Sequence, residues 1–469
     1  MIAHFDNGAI HAIERAVSAP GPGAYWARHA WLPAGIAENV RLQVDDGRFT
    51  AVTPGEAPAL GDVQLPGVVL PGFANTHSHA FHRALRGRTH HEGGTFWTWR
   101  NAMYTIAERL TPDTYYTLAR AVYAEMALAG VTTVGEFHYV HHRPDGTPYP
   151  DPNALGEALM RAAADAGIRL TLLDTCYLAG GLGETGHVPL DRRQRRFGDD
   201  GVAAWADRFA ALADRPGVRI GAAIHSVRAV PAHALPTVVA AAAGRPLHVH
   251  LSEQPAENQQ CVEFYGVTPT ELLRRAQALG PHTTAVHATH LTPADVTAIA
   301  AAGAAVSLCP TTERDLADGI GPAGALAAAG VRLVLGTDQH AMVDLLEEAR
   351  AVELNERLAT GRRGTFAPAD LLHLLSGHDT LGWPDAGTIA VGQRADLVEL
   401  DPRSIRTAGT DPAQILFAAG TPDVRTVVVD GRAVVDGGRH RLGDVGALLA
   451  GAIASVTSQA VTTQGSETR

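Results

Sequence analysis

The sequence predicts an α/β protein, a (β/α)8 TIM barrel with a small β-sandwich-like domain built from both chain ends. Three observations carry this. Eight short apolar runs alternate with Ala- and Leu-rich stretches between residues 67 and 384. Nearly every run ends in His, Asp or Glu, as strands do at the C-terminal mouth of such a barrel. The flanks 27–66 and 386–440 read instead as short strands with Asp-Gly and Gly-Gln turns. The expected bounds are 1–66 and 385–455 for the two parts of the β-domain, 67–384 for the barrel and 456–469 for a disordered polar tail.

Taken in order, the runs are "GVVLPGFANTHSH", "GVTTVGEFHYV", "IRLTLLDTCYL", "VRIGAAIHSV", "RPLHVHLSEQ", "TTAVHATHL", "AAVSLCP" and "VRLVLGTDQH". Helix candidates such as 113–129 and 291–302 separate them. The run ends supply His77 and His79, then Glu136, His138 and Tyr139, then His225 and Arg228. The fifth run supplies His248, His250 and Glu253, the sixth His287 and His290, and the eighth Asp338 and His340. A doubly wound open sheet rarely places polar residues at so many strand ends. The insert 179–200 exceeds a minimal βα connection and reads equally well as a lid or a solvated loop.

Composition narrows the partners. A chain of 469 residues with 46% hydrophobic and 19% charged residues is globular and long enough for a large barrel with a satellite domain. The net charge of −11 comes with no basic stripe interleaved with aromatics, so nucleic acid is not an expected partner. All 38 basic residues are arginine, because the chain has no lysine. Cys176, Cys261 and Cys309 are far apart and lack CxxC spacing, which favours a reducing cytoplasm over a disulfide framework. The first residues lack a signal-peptide pattern, and no apolar run reaches membrane-spanning length. A cytoplasmic protein acting on a small molecule, away from membranes, is the expectation.

His77 and His79 are two apart, so on a strand both rings face the same side. That arrangement suits two imidazoles on one Zn2+ or Fe2+ at about 2.0–2.2 Å. HxH alone is weak in a chain with 23 histidines. A third histidine from another strand and an aspartate from the last would complete a three-nitrogen, one-oxygen set with a position open for water. On the fifth strand His248 and His250 share a face and compete for that place.

HxH on the first strand, HxxE on the fifth, His on the sixth and Asp on the eighth resemble the amidohydrolase superfamily. The strings "PGFANTHSHAF", "FWTWR", "EFHYVHH", "HSVRAV", "HLSEQ", "VHATHL" and "CPTTE" are similar to its N-formimino-L-glutamate deiminases, which act in histidine degradation. The resemblance covers most of the chain, including the two-ended β-domain. It implies one divalent metal ion, zinc or iron, held by His77, His79, His250 and Asp338. Members with two metals use a carboxylated lysine as a bridge, which a lysine-free chain cannot supply.

The resemblance further implies Glu253 as proton shuttle, His287 as the residue positioning water, and Asp338 as a proton acceptor as well as a ligand. Arg100, Tyr139, His225 and Arg228 would bind the substrate. These relatives place glutamine where His82 stands, so His82 is expected beside the substrate and, lying beyond the strand end, outside the metal set. The reaction implied is hydrolysis of a formimino group to a formyl group and ammonia. The alternative is a related aminohydrolase acting on another carboxylate-bearing amidine, guanidine or aminated heterocycle; a non-catalytic barrel scaffold is a third reading. A homodimer is the assembly that relatives suggest, although no interface signal stands out.

Overall fold

The computed structural model describes residues 23–90 and 96–458. The chain enters through β1 (Ala24–Leu32), β2 (Gly35–Asp45), β3 (Arg48–Thr53) and β4 (Val63–Pro71). The next three strands are β5 (Phe73–Ser78), β6 (Val131–His138) and β7 (Arg169–Cys176). A small hairpin, β8 (Gly181–Gly183) and β9 (Gly186–Val188), interrupts them. Then come β10 (Val218–Ile224), β11 (Leu247–Leu251), β12 (Thr283–His287), β13 (Ala305–Leu308) and β14 (Arg332–Leu335).

The eight strands β5, β6, β7 and β10–β14 form one parallel sheet in sequence order. Most are buried along their whole length, which is why they read as continuous apolar runs. The sheet closes through a parallel bridge between Ser78 and Asp338. The Asp338 N–H donates to the His77 carbonyl at 3.0 Å, and the His79 N–H donates to the Asp338 carbonyl at 3.1 Å. Closure therefore occurs at the residues expected to bind metal. Gly336 permits it: a Cβ there would stand 2.7 Å from the His77 Cβ and 3.0 Å from the Cys309 Sγ.

The β-domain is one mixed sheet completed by β15 (Leu397–Leu400), β16 (Val424–Val429), β17 (Arg432–Asp436) and β18 (Arg439–His440). Its order is β18-β17-β16-β15-β4-β1-β2-β3, with the two chain ends joined where β4 and β15 pair antiparallel. The β3 edge bonds back to the segment before β15, with the Phe49 N–H on the Gln393 carbonyl at 2.9 Å and the Ala395 N–H on the Gly47 carbonyl at 2.8 Å. The sheet thus curls around its own core of Tyr25, Phe49, Leu65, Leu397 and Val428, which gives it a sandwich-like section. The expected division at 66/67 falls inside β4. Buried Arg169 on β7 locks barrel to β-domain through Asp396 and, at 2.9 Å, Asp430.

The last described element corrects the expected tail. A helix spans Val445–Thr457 with Val456 fully buried, and Arg109 donates to the Thr457 carbonyl at 2.6 Å to cap it. Residues 456 and 457 belong to this helix because an apolar face continues to Val456; residues 459–469 and 1–22 lie outside the described ones. Among the described residues no helix is long and apolar enough to cross a membrane.

Candidate active site

Each functional candidate takes its direction from main-chain bonds. His79 Nδ1–H donates to the Phe137 carbonyl at 2.9 Å, and His250 Nδ1–H donates to the His225 carbonyl at 2.9 Å. A carbonyl can only accept, so these bonds place the proton on Nδ1 and leave a lone pair on Nε2. His79 Nε2 faces Asp338 Oδ1 at 3.3 Å. His77 Nε2 lies 3.1 Å from Asp338 Oδ1 and 3.1 Å from His250 Nε2. Lone pairs that converge at such distances with too few protons between them call for a cation. Bonds of about 2.0–2.2 Å to one ion impose donor separations of about 2.8–3.6 Å for angles between about 90° and tetrahedral, so the donor set fits a divalent metal.

The electrostatics agree. Burial pushes His77 down to about 3 and His79 to about 4, and holds His250 well below its ordinary value; the rings are neutral, as ligation requires. Burial would raise Asp338, but the bond from His77 and the neighbouring imidazoles outweigh it and keep the carboxylate ionised. Asp338 has a φ of +43° and His287 one of +67°, a region that side chains other than glycine's rarely adopt and that clusters at functional sites.

Two overlapping donor groups meet here among the described residues: His77, His250, His287 and Asp338, and His79, His82 and Asp338. His82, in the 3-10 turn Ala80–Leu85, lies closer to the centre than its sequence position implies. Its ring packs on His79 with centroids 4.5 Å apart, and its Nε2 is 2.8 Å from the Tyr139 hydroxyl. The turn curls back over the strand end, bringing a residue outside the pleat above it. His248 shares the strand face of His250 but belongs to neither donor group, its Nε2 lying 3.5 Å from the Thr380 carbonyl, and His290 bonds the Asp318 carbonyl at 2.8 Å. His340 is taken up by Thr337 and Ser78. A separate buried group, His138, His141 and Asp174, lies in the wall, where Asp174 is held by Arg208 at 2.6 Å.

His287 stands between two carboxylates. Its Nε2 is 3.8 Å from Glu253 and its Nδ1 3.5 Å from Glu313. Burial opposes its charge, but Glu253, Glu313 and Asp338 together push it up to about 10. Glu313, Glu257 and Asp318 were not read as site residues from sequence. Glu313 follows "CPTT" on a short helix and accepts the Cys309 N–H at 2.9 Å. Glu257 stands in the first turn of the helix Pro255–Tyr265, which Glu253 precedes, so no helical spacing ties the two together in the sequence. Asp318, pushed up by burial and by the charge of Glu253, had no signal either.

A cavity of about 260 Å³ opens over the cluster. His79, His250, Glu253, His287 and Asp338 form its floor, and His82, Arg100, Tyr139, His225 and Arg228 line its walls. Every predicted site residue lines this cavity except His77, whose fully buried ring joins the cluster from below, 3.1 Å from Asp338 and from His250. Insert residues Ala179–Leu182 and Phe197 complete the wall. Gln194 fastens the insert by donating to Tyr104, Tyr177 and Gly180 at 3.0–3.2 Å. Arg100 donates to the Gly180 carbonyl at 3.4 Å and lies over the Tyr104 ring.

Comparison with known proteins follows the same lines. Residues 68–434 match the model of the amidohydrolase family, and residues 24–64 match that of the formimidoylglutamate deiminase HutF N-terminal domain. The chain is 40% identical over 437 residues to formimidoylglutamate deiminase of Pseudomonas aeruginosa, covering 89% of this chain and 95% of that one. It is 30% identical over 415 residues to a 5-methylthioadenosine/S-adenosylhomocysteine deaminase of Desulforudis audaxviator, covering 85% and 90%. The crystal structure of an amidohydrolase from Brucella melitensis superposes with a TM-score of 0.86 at 33% identity, covering 93% of this chain and all of that one.

Proposed function

The chain belongs to the amidohydrolase family, and from that premise we propose that it hydrolyses N-formimino-L-glutamate to N-formyl-L-glutamate and ammonia. The observation that carries this is one cavity with the histidine–aspartate cluster on its floor and Arg100 and Arg228 on its wall. A substrate with an amidine at one end and two carboxylates at the other matches that polarity. The likeness to formimidoylglutamate deiminase, extending into the N-terminal domain, supports the same reading.

His77, His79, His250 and Asp338 would hold the metal, and a bound divalent ion lowers the pKa of water toward neutrality and so supplies the nucleophile. The arginine forks bind the substrate carboxylates, bidentately where both Nη atoms are available. Tyr139 and His82 offer hydrogen bonds beside the formimino group, and His225, packed edge to face against Tyr139, adds another. Glu253, on the cavity floor, carries the proton that lets the imino nitrogen leave as ammonia instead of amide anion. His287, flanked by Glu313 and Glu253, orients that exchange.

Zinc as the ion, the cytoplasm as compartment and a homodimer as assembly are part of this proposal. Three imidazoles and a carboxylate suit zinc, and Cys176, Cys261 and Cys309 are all unpaired. Ammonia release from N-formimino-L-glutamate by zinc-loaded protein is the test. No release, alongside turnover of a guanidino acid or an aminated heterocycle, would overturn the substrate assignment.

A further inference from the structure

Arg228 is shared between two carboxylates of different standing. Its Nε lies 3.1 Å from Oε2 of Glu257, and its Nη2 lies 3.5 Å from Oε2 of Glu253. Glu257 is fully buried, and its other oxygen accepts the Ser252 N–H at 3.0 Å. It thereby fixes the guanidinium and the turn that presents Glu253, which Ser252 enters with a φ of +51°. Arg228 and Glu253 line the cavity, whereas Glu257 does not. The Nε of the guanidinium is thus anchored in the wall, while Nη2 lies against the proton carrier proposed above.

We propose that this contact makes Glu253 responsive to the substrate's own carboxylate. With the cavity empty, Arg228 holds one oxygen of Glu253. A substrate carboxylate arriving at the Nη edge competes for the same donors, and Glu253 is released toward His287 and the reacting carbon. Glu257 is the positioning residue that keeps the guanidinium in place during the exchange. Carboxylate recognition would then act on the chemical step as well as on binding. The site would discriminate against amidines that fit the floor but lack the acidic end.

The inference rests on the proposed deiminase reading, and the experiment separates the two. Steady-state kinetics on zinc-loaded protein would compare N-formimino-L-glutamate with N-formimino-4-aminobutyrate and N-formimino-L-glutamine, each lacking one carboxylate. The expected result is that one analogue loses at least tenfold in kcat beyond any rise in KM. In Arg228→Gln, with metal content matched, that analogue and the parent should share one kcat within about twofold. Losses confined to KM for both analogues would mean uniform binding and overturn the inference while leaving the deiminase reading intact. Absence of turnover with the parent substrate would overturn the reading on which it rests. The analogue comparison uses the wild-type chain, so a poorly folding variant does not remove the test.

Discussion

Gly336→Ala probes how barrel closure and the metal set depend on one another. A Cβ at this position would lie 2.7 Å from the His77 Cβ and 2.9 Å from the His77 carbonyl oxygen, against 3.4 Å for ordinary contact. The last strand must therefore retreat by about 0.7 Å from the first. That retreat stretches the bonds from Thr337 and Asp338 N–H to the His77 carbonyl, now 3.1 and 3.0 Å. Overpacking of this kind costs about 1–3 kcal/mol, and weakening two buried hydrogen bonds adds about 1–2 kcal/mol. Asp338 moves with the strand, away from His77 and His79, and a misplacement approaching 1 Å costs on the order of 100-fold in rate. Urea unfolding, metal content by mass spectrometry and ammonia release would be measured together. The variant should unfold at lower urea, hold less metal at equal zinc and turn over about 100-fold more slowly. Wild-type metal content and rate in a destabilised variant would refute the coupling; wild-type stability would refute the packing argument itself.

Glu253→Gln should retain metal and lose about 100- to 10,000-fold in kcat; loss of metal instead would show that Glu253 serves the ion. Arg100→Met should raise KM with metal content unchanged, and an unchanged KM would remove it from the carboxylate site. Arg169→Leu leaves Asp396 and Asp430 without their buried partner and should cost about 3–5 kcal/mol in urea unfolding, with KM unaffected. In metal-stripped protein, His77 at about 3 and His79 at about 4 lie below their ordinary 6.5. The unfolded chain therefore binds more protons as pH falls below 6.5, so stability drops. Between pH 7 and pH 5 these two rings alone should remove about 3–4 kcal/mol, and a flat urea midpoint over that range would contradict their burial as neutral groups.

Periodicity and strand-end chemistry made the barrel legible because parallel strands buried on both faces leave unbroken apolar runs, and a barrel's mouth collects the polar ends. The β-domain was legible at its Asp-Gly turns, which recur at Asp46-Gly47 and Asp430-Gly431. Its curling onto β3 was not, because that depends on main-chain bonds from Gln393 and Ala395 that leave no mark in residue types. The same limit governed the site. Spacing distinguishes His77 from its neighbours along a strand, but it cannot show that the Ala80–Leu85 turn folds His82 back onto His79. Nor can it show that Glu257 and Glu313 reach inward from helices, since a glutamate in a helix's first turn reads equally as dipole compensation.

The number of ions the site takes follows from how the rings are addressed. His79 and His250 each spend Nδ1 on a carbonyl and turn Nε2 to the centre. His77 Nε2 lies 3.1 Å from both Asp338 and His250. His287 differs, because both its nitrogens face carboxylates, Glu253 on one side and Glu313 on the other. A ring flanked by two carboxylates at 3.8 and 3.5 Å, whose charge pushes it up to about 10 against burial, favours keeping its protons and is poorly placed to donate a lone pair, although it lies among the same donors. The chain also lacks the lysine that could bridge a second ion. A stoichiometry of one metal per chain, with His287→Asn sparing metal while His250→Asn loses it, is the outcome this arrangement requires; two ions per chain would mean that His287 turns from its carboxylates to serve as a ligand.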